Sequence, residues 1–426
     1  MRVVLPLLFT LLLVLGTILW LIQSQGVYIE RHPPPQGPSP GGRLFRIVYL
    51  EKPKDGSSAR LDLRHSDLSA LNLSDKLDVL LSCTFDSTTR WPPHLPAAFD
   101  PLEVMERNKD PGLGIRALHA RGITGKGVGI AVIDYPLLTR HAEYRSRLKR
   151  YEEILAAHHT AHMHGTAMSS IAVGESTGVA PAADLYFMGT FNMSQAAGKP
   201  VLDFSSHAAA IHRLLEINRE IPSERKIRVI SISASWAPGN RGYEAMQEAV
   251  REARSQGILV VSSNLFETTD FRFFFHGLDR DPLSDPDDPA SYRVIAWEGW
   301  ISLLGEERFP DFIRHYEKAC QEQSGSEMLL VPVHSKTVAA PTGADDYTFF
   351  RHGGWSDVPP FLAGLYALAC QVDPHITPDS FWRLALDTGF ICDVTRQERK
   401  WRGKAIHPLR LIEALEQGRN AGFTRP

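Results

Sequence analysis

The sequence predicts an α/β fold, a mostly parallel sheet with helices on both faces, plus an N-terminal membrane helix. Three observations carry this. Apolar runs that do not alternate, such as Val128-Gly129-Ile130-Ala131-Val132-Ile133, are bounded by glycines and read as strands buried on both faces. Helical segments separate these runs in regular order, and strands joined through helices pair in parallel by right-handed crossovers. Residues 3–22 are almost wholly apolar, with Arg2 before them and no further charge until Glu30. A helix needs roughly 20 such residues to span a bilayer.

Residues 1–25 therefore read as an anchor, with Trp20 at the interface and Arg2 holding the short end inside. A cleaved signal segment is the alternative, and its only cleavage candidate is Ser24-Gln25-Gly26. Either way the body is expected outside the cytoplasm, membrane-anchored or secreted. Residues 26–42 are rich in proline and glycine and read as a stiff linker. Residues 43–110 form an N-terminal region or propeptide, with a strand at 44–50 and Leu68, Leu71, Leu73, Leu77 and Leu80 as core candidates. The main domain is expected over 111–426.

With 426 residues and 43% hydrophobic content, the chain can build a large core. A net charge of −3 and the lack of a basic block give no reason to expect nucleic acid. The four cysteines, Cys83, Cys320, Cys370 and Cys392, match no zinc or redox spacing. Cys370 closes an apolar helix as a buried thiol, and a Cys370–Cys392 bridge stays open.

In chain order, a helix at 115–121 and a turn through Gly122, Gly125 and Gly127 lead into the strand that ends at Asp134. An acid there lies where open α/β sheets place their sites, although an aspartate can equally cap the next turn. His158, His159, His162 and His164 follow within seven residues. A zinc-protease pattern needs glutamate beside the first histidine, and His159 stands there, so no metal site is expected. His164 is the one that precedes Gly165 and a small-residue helix at 166–173, and imidazole is the natural base near neutral pH. Gly174-Glu175-Ser176-Thr177-Gly178 has the letters of a nucleophile elbow, but a helix precedes it where a strand is required, so Ser176 reads as a loop residue.

Strands at 183–188, 228–233 and 257–264 alternate with helices at 204–219 and 243–255. Residues 267–327 interrupt this order. Their acidic piece, 279–289, has no recognisable Ca²⁺ ligand spacing and reads as a solvated surface loop. Later helices are expected at 380–388 and from 411. Before them lies Gly353-Gly354-Trp355-Ser356-Asp357-Val358-Pro359-Pro360-Phe361, which runs into an apolar stretch to Ala369. Two prolines suit a first helical turn, where N–H groups lack partners anyway. Ser356 thus sits at the positive end of a buried helix, as an N-cap or as a nucleophile.

Serine needs a base to take its proton, and the base needs an acid to fix its tautomer. Asp134, His164 and Ser356 supply these types in one of the known triad orders. Here the chain resembles the subtilisin-like serine proteases (subtilases) over roughly residues 112–390. Gly122 through Asp134 is similar to the family's aspartate motif, and His164-Gly165-Thr166 with Gly178-Val179-Ala180-Pro181 to its histidine motif. The serine motif is matched at Gly354, Ser356, Pro360, Ala363 and Gly364.

The resemblance implies a subtilisin-like three-layer fold and hydrolysis of peptide bonds in a protein or peptide substrate, with no cofactor required. It also implies that substrate binds as an added strand beside Ser233-Ala234-Ser235 and that Asn264 helps hold the oxyanion. The chain departs from the family in four places. Trp355, Asp357, Val358 and Pro359 surround the serine, and Asp357 would either oppose the oxyanion or point to solvent. Ser235 replaces a glycine and narrows the first specificity pocket. Asn264 falls about two residues early, and 267–327 reads as an insertion over the active-site face. These departures keep a second reading open, a non-catalytic subtilase-like domain that binds peptides or regulates a partner.

Overall fold

The computed structural model describes residues 61–154, 160–196, 199–263, 274–295, 328–396 and 399–420. The expected membrane segment 3–22, the linker, the strand at 44–50, His158, His159, Asn264, Cys320 and much of 267–327 lie outside the described residues. Among the described residues, no helix is long and apolar enough to cross a membrane.

The chain opens with β1 (Leu61–Asp62), β2 (Cys83–Asp86), α1 (Pro101–Arg107) and α2 (Ile115–Ala120). Then come β3 (Gly129–Asp134), β4 (Leu148–Glu153), α3 (Met163–Val173) and β5 (Asp184–Gly189). A hairpin of β6 (Met193–Ala196) and β7 (Lys199–Leu202) precedes α4 (Ser205–Glu220), β8 (Ile227–Ile232), α5 (Tyr243–Ser255) and β9 (Leu259–Ser262). The second half holds β10 (Phe274–Arg280), β11 (Tyr292–Val294), β12 (Met328–Pro332), β13 (Lys336–Ala339) and β14 (Tyr347–Phe350). It ends with α6 (Val358–Val372), α7 (Pro378–Thr388), β15 (Phe390–Arg396), β16 (Arg399–Ala405) and α8 (Pro408–Asn420).

The central sheet has the order β4-β5-β3-β8-β9, with every pairing parallel. Side chains alternate across a pleated strand, so a strand buried on both faces must be apolar throughout. β3 shows this directly: Ile130 and Val132 enter one core, and Ala131 and Ile133 the other. The first core is closed by α3 and α6, through residues such as Ile171, Phe361 and Leu365. The second is closed by α4 and α5, through Ile211, Leu214, Met246 and Val250. The expected layering of helix, sheet and helix is therefore present. β3 is flanked by β5 and β8, so the connections switch sides at its carboxyl end, where such sheets open a crevice.

Several expectations shift. The strand expected over 257–264 is confined to β9, because Gly257 adopts φ +76° and turns the chain. The helix expected from Thr166 begins at Met163, because His162 caps it through its ring nitrogen. Residues 274–294 and 328–332, read as insertion or beyond it, form β10, β11 and β12 of a second sheet, β11-β10-β12-β16-β15. Asp279 is not on a solvated loop: it is the next-to-last residue of β10 and is buried, accepting from Arg351 at 2.7 Å and paired with His334 and Arg293. Cys370 and Cys392 are both free, so no bridge joins them. Burial pushes the Cys370 thiol up to about 12.

A third sheet, β1-β2-β14-β13, ties the N-terminal region to the segment before Ser356. β2 pairs antiparallel with β14, and the Phe85 and Phe349 rings lie 5.1 Å apart in a core that includes Leu63, Leu80 and Val104.

Candidate active site

Asp134 is the last residue of β3 and is 6% exposed. Its Oδ1 accepts from the Tyr135 N–H at 2.7 Å. His164 Nδ1 lies 2.7 Å from Oδ1 and 2.9 Å from Oδ2. A carboxylate only accepts, so this contact places the proton on Nδ1 and leaves Nε2 with a free lone pair. Such closeness depends on Gly165. A Cβ there would come within 1.8 Å of the Tyr135 carbonyl oxygen, so only glycine lets α3 enter beside the end of β3.

Burial pulls the His164 pKa down, but the Asp134 charge and hydrogen bond, with the Asp357 charge, outweigh it and leave it raised above 6.5. The ring is half-buried. Tyr135, Phe191 and His162 build an aromatic wall beside it, with the Tyr135 hydroxyl donating to Asn192 at 2.7 Å. Behind Asp134 lies His207, which sequence reasoning missed. It is buried, 3.3 Å from the Thr190 hydroxyl, and burial lowers its pKa to about 4 against the charges of Asp134 and Asp203. A lone histidine inside a helical pattern carries no signal that could have singled it out.

Ser356 lies in a 3-10 turn, Trp355–Asp357, that runs straight into α6, with Pro359 and Pro360 in the first helical turn. The turn is fastened to the ends of two central strands. The Ser233 hydroxyl, just past β8, donates to the Ser356 carbonyl at 2.7 Å, and the Ser263 hydroxyl, just past β9, to the Trp355 carbonyl at 3.4 Å. α3 packs against the same turn, which brings the elements bearing His164 and Ser356 together. Among the described residues, its own chain neighbours aside, a Cβ on Gly354 would meet nothing nearer than the Ser356 nitrogen, at 3.9 Å.

Of the residues expected at the substrate edge, Ser233 is turned toward the nucleophile turn, and the Ala234 carbonyl accepts from the Ser263 N–H at 3.1 Å. Ser235 is exposed. Asp357 does not point to solvent. Its side chain is buried at 7% exposure and lies under Gly353, whose added Cβ would come within 2.2 Å of Asp357 Oδ2. Ser176 is a loop residue as expected, its hydroxyl donating to the buried Glu143 at 2.5 Å. No group of three or more histidine, cysteine or acidic residues among the described residues could hold a metal.

The model of Peptidase_S8, the subtilase family, matches residues 125–302, which contain Asp134 and His164 and stop before Ser356. The resemblance read from the sequence is borne out, and the chain carries a subtilase-like α/β protease domain. No curated protein matches the chain. Among solved structures it is similar to the prenylagaramide maturation protease PagA, at 16% identity over 71% of this chain and 98% of that one, with a TM-score of 0.46. It is also similar to the PatG macrocyclase domain, at 16% identity over 71% of this chain and 95% of that one, with a TM-score of 0.47.

Proposed function

Taking the subtilase-family domain as the premise, we propose that the protein is a serine endopeptidase that works through an acyl-enzyme. Ser356 is the nucleophile, His164 takes its proton through Nε2 and returns it to the leaving amine, and Asp134 holds the imidazole and stabilises its charged form. The Ser356 N–H, aided by Asn264, receives the oxyanion. An extended peptide lies beside Ser233-Ala234-Ser235. No cofactor is required, and residues 111–426 form the peptidase domain. The same reading has residues 3–22 hold the chain at a membrane with the domain outside the cytoplasm, on the support of their apolar run and Arg2.

The observation that carries this reading is the paired contact of His164 Nδ1 with both Asp134 oxygens, on a helix packed against the Ser356 turn. Labelling the full-length chain with a serine-directed fluorophosphonate tests it. The wild type is expected to label, and Ser356→Ala and His164→Ala to lose labelling by about 10³-fold or more. Labelling that survives Ser356→Ala overturns the assignment. A folded wild type that does not label favours either the non-catalytic domain or a latent zymogen held by its N-terminal region.

A further inference from the structure

Residues 61–110 supply none of the triad chemistry, and a segment ahead of a protease domain has two fates: it stays, or it is cut away. The junction between this segment and the rest is built to stay closed. Pro111, Gly112, Leu113 and Gly114 are buried, and the last three follow one another at φ +82°, +54° and +79°. Gly112 donates its N–H to Asp110 Oδ1 at 2.8 Å, Leu113 to the Pro286 carbonyl at 2.8 Å and Gly114 to Asp287 Oδ1 at 2.7 Å. A Cβ on Gly112 would come within 2.3 Å of the Tyr292 hydroxyl, and one on Gly114 within 2.3 Å of the Leu409 side chain in α8. A protease takes its substrate exposed and extended, and this left-handed, buried stretch is neither.

The segment also grips the chain that leads to Ser356. β2 pairs with β14, and the Tyr347 N–H donates to the Ser87 hydroxyl at 2.6 Å. Arg351, just past β14, is 8% exposed. Its N–H donates to the Thr84 hydroxyl at 3.2 Å and its Nε to the Leu81 carbonyl at 3.1 Å, while the other arm of the guanidinium donates to Asp279 Oδ1 at 2.7 Å. The buried Asn108 joins the same frame, its carbonyl accepting from the Thr337 N–H at 2.8 Å and its amide donating to the Pro282 carbonyl at 3.0 Å. Without residues 61–110 these buried donors of Arg351 and Thr337 would lose their partners, which is costly.

We propose that residues 61–110 remain in the working enzyme as a permanent brace, and that Arg351 is the positioning residue through which they hold the segment entering the Ser356 turn. The positioning role rests on the reading of Ser356 as nucleophile; the retention of 61–110 does not. Any processing of the N-terminal segment then falls before residue 61. Arginine suits the place because its planar fork spans two acceptors, the Leu81 carbonyl and the Asp279 carboxylate, that come from distant parts of the chain.

The test treats the folded full-length chain with trypsin, which cuts after lysine and arginine and so has Arg107 and Lys109 available at the junction. Mass spectrometry identifies the residues kept by the chain that stays folded and by the chain that fluorophosphonate labels. Both are expected to keep 61–110, with the junction uncut. A folded or labelled chain that has shed 61–107, or labelling that begins only once they are shed, overturns the proposal and spares the peptidase reading. A chain that keeps the junction and does not label counts against the peptidase reading and not against the brace. Arg351→Lys keeps the charge and loses the fork. Hydrogen exchange over residues 351–357 is expected to quicken by about 10-fold or more with α4 and α5 unchanged, and the maximal labelling rate to fall at an unchanged half-saturating probe concentration. Unchanged exchange over 351–357, or a loss of protection spread over the whole domain, overturns the positioning role.

Discussion

Replacing Asp357 by asparagine should change stability in a way that depends on pH, with a sign fixed by the burial of the carboxyl. In the folded chain its pKa rises from an ordinary 3.8 to about 6. At about 1.4 kcal/mol for each tenfold change in proton affinity, this corresponds to about 3 kcal/mol. A pKa that is higher folded than unfolded contributes stability that is complete below 3.8 and lost as pH rises through 6. The amide does not titrate. The wild-type unfolding free energy, minus that of Asp357→Asn, should therefore fall by about 2 kcal/mol between pH 4 and pH 7, most of the full difference. Lys336, at about 8, stays protonated in the wild type across most of this window and adds little to its slope. Urea unfolding followed by tryptophan fluorescence at several pH values measures the difference; titrations that the substitution leaves unchanged cancel, while His164 and Lys336, whose pKa values the Asp357 charge raises, add a fall of the same sign. A difference that stays flat within about 1 kcal/mol, or rises with pH, would refute the inference that the carboxyl is buried and held against its own charge.

Two further substitutions examine the framework of the site. Gly165→Ala drives a methyl into the Tyr135 carbonyl at 1.8 Å, so α3 must move away from β3. We expect a loss of about 2 kcal/mol or more in urea unfolding, with labelling slowed about 10²-fold as His164 leaves Asp134; unchanged labelling would show that the close approach is not needed. Phe85→Ala empties a fully buried site between Phe349, Phe99 and Trp91. It should cost about 3–5 kcal/mol within the main unfolding transition. A separate early transition would instead mark residues 61–107 as an independently folding unit.

The sequence by itself determined the parts whose physics is local. An apolar run without alternation must be a strand covered on both faces, which placed β3 and the acid at its end. Paired prolines before an apolar stretch must open a buried helix, which placed Ser356 at the mouth of α6. Gly165 and the small-residue helix after it singled out His164, and the order of Asp134, His164 and Ser356 pointed to one chemistry. Tertiary structure decided what depends on partners far along the chain. Asp279 reads as surface acid until Arg351 and His334 arrive from 72 and 55 residues away. Residues 61–107 carry no motif, yet β2 completes a sheet with β14, and Arg351 reaches back to the Leu81 carbonyl at 3.1 Å. Above all, the direction of Asp357 was undecidable from its neighbours, because a charge turns inward only where a distant group offsets its desolvation. In the fold that carboxyl lies beside Gly353, where a Cβ would meet both its Oδ2 and the Val333 carbonyl.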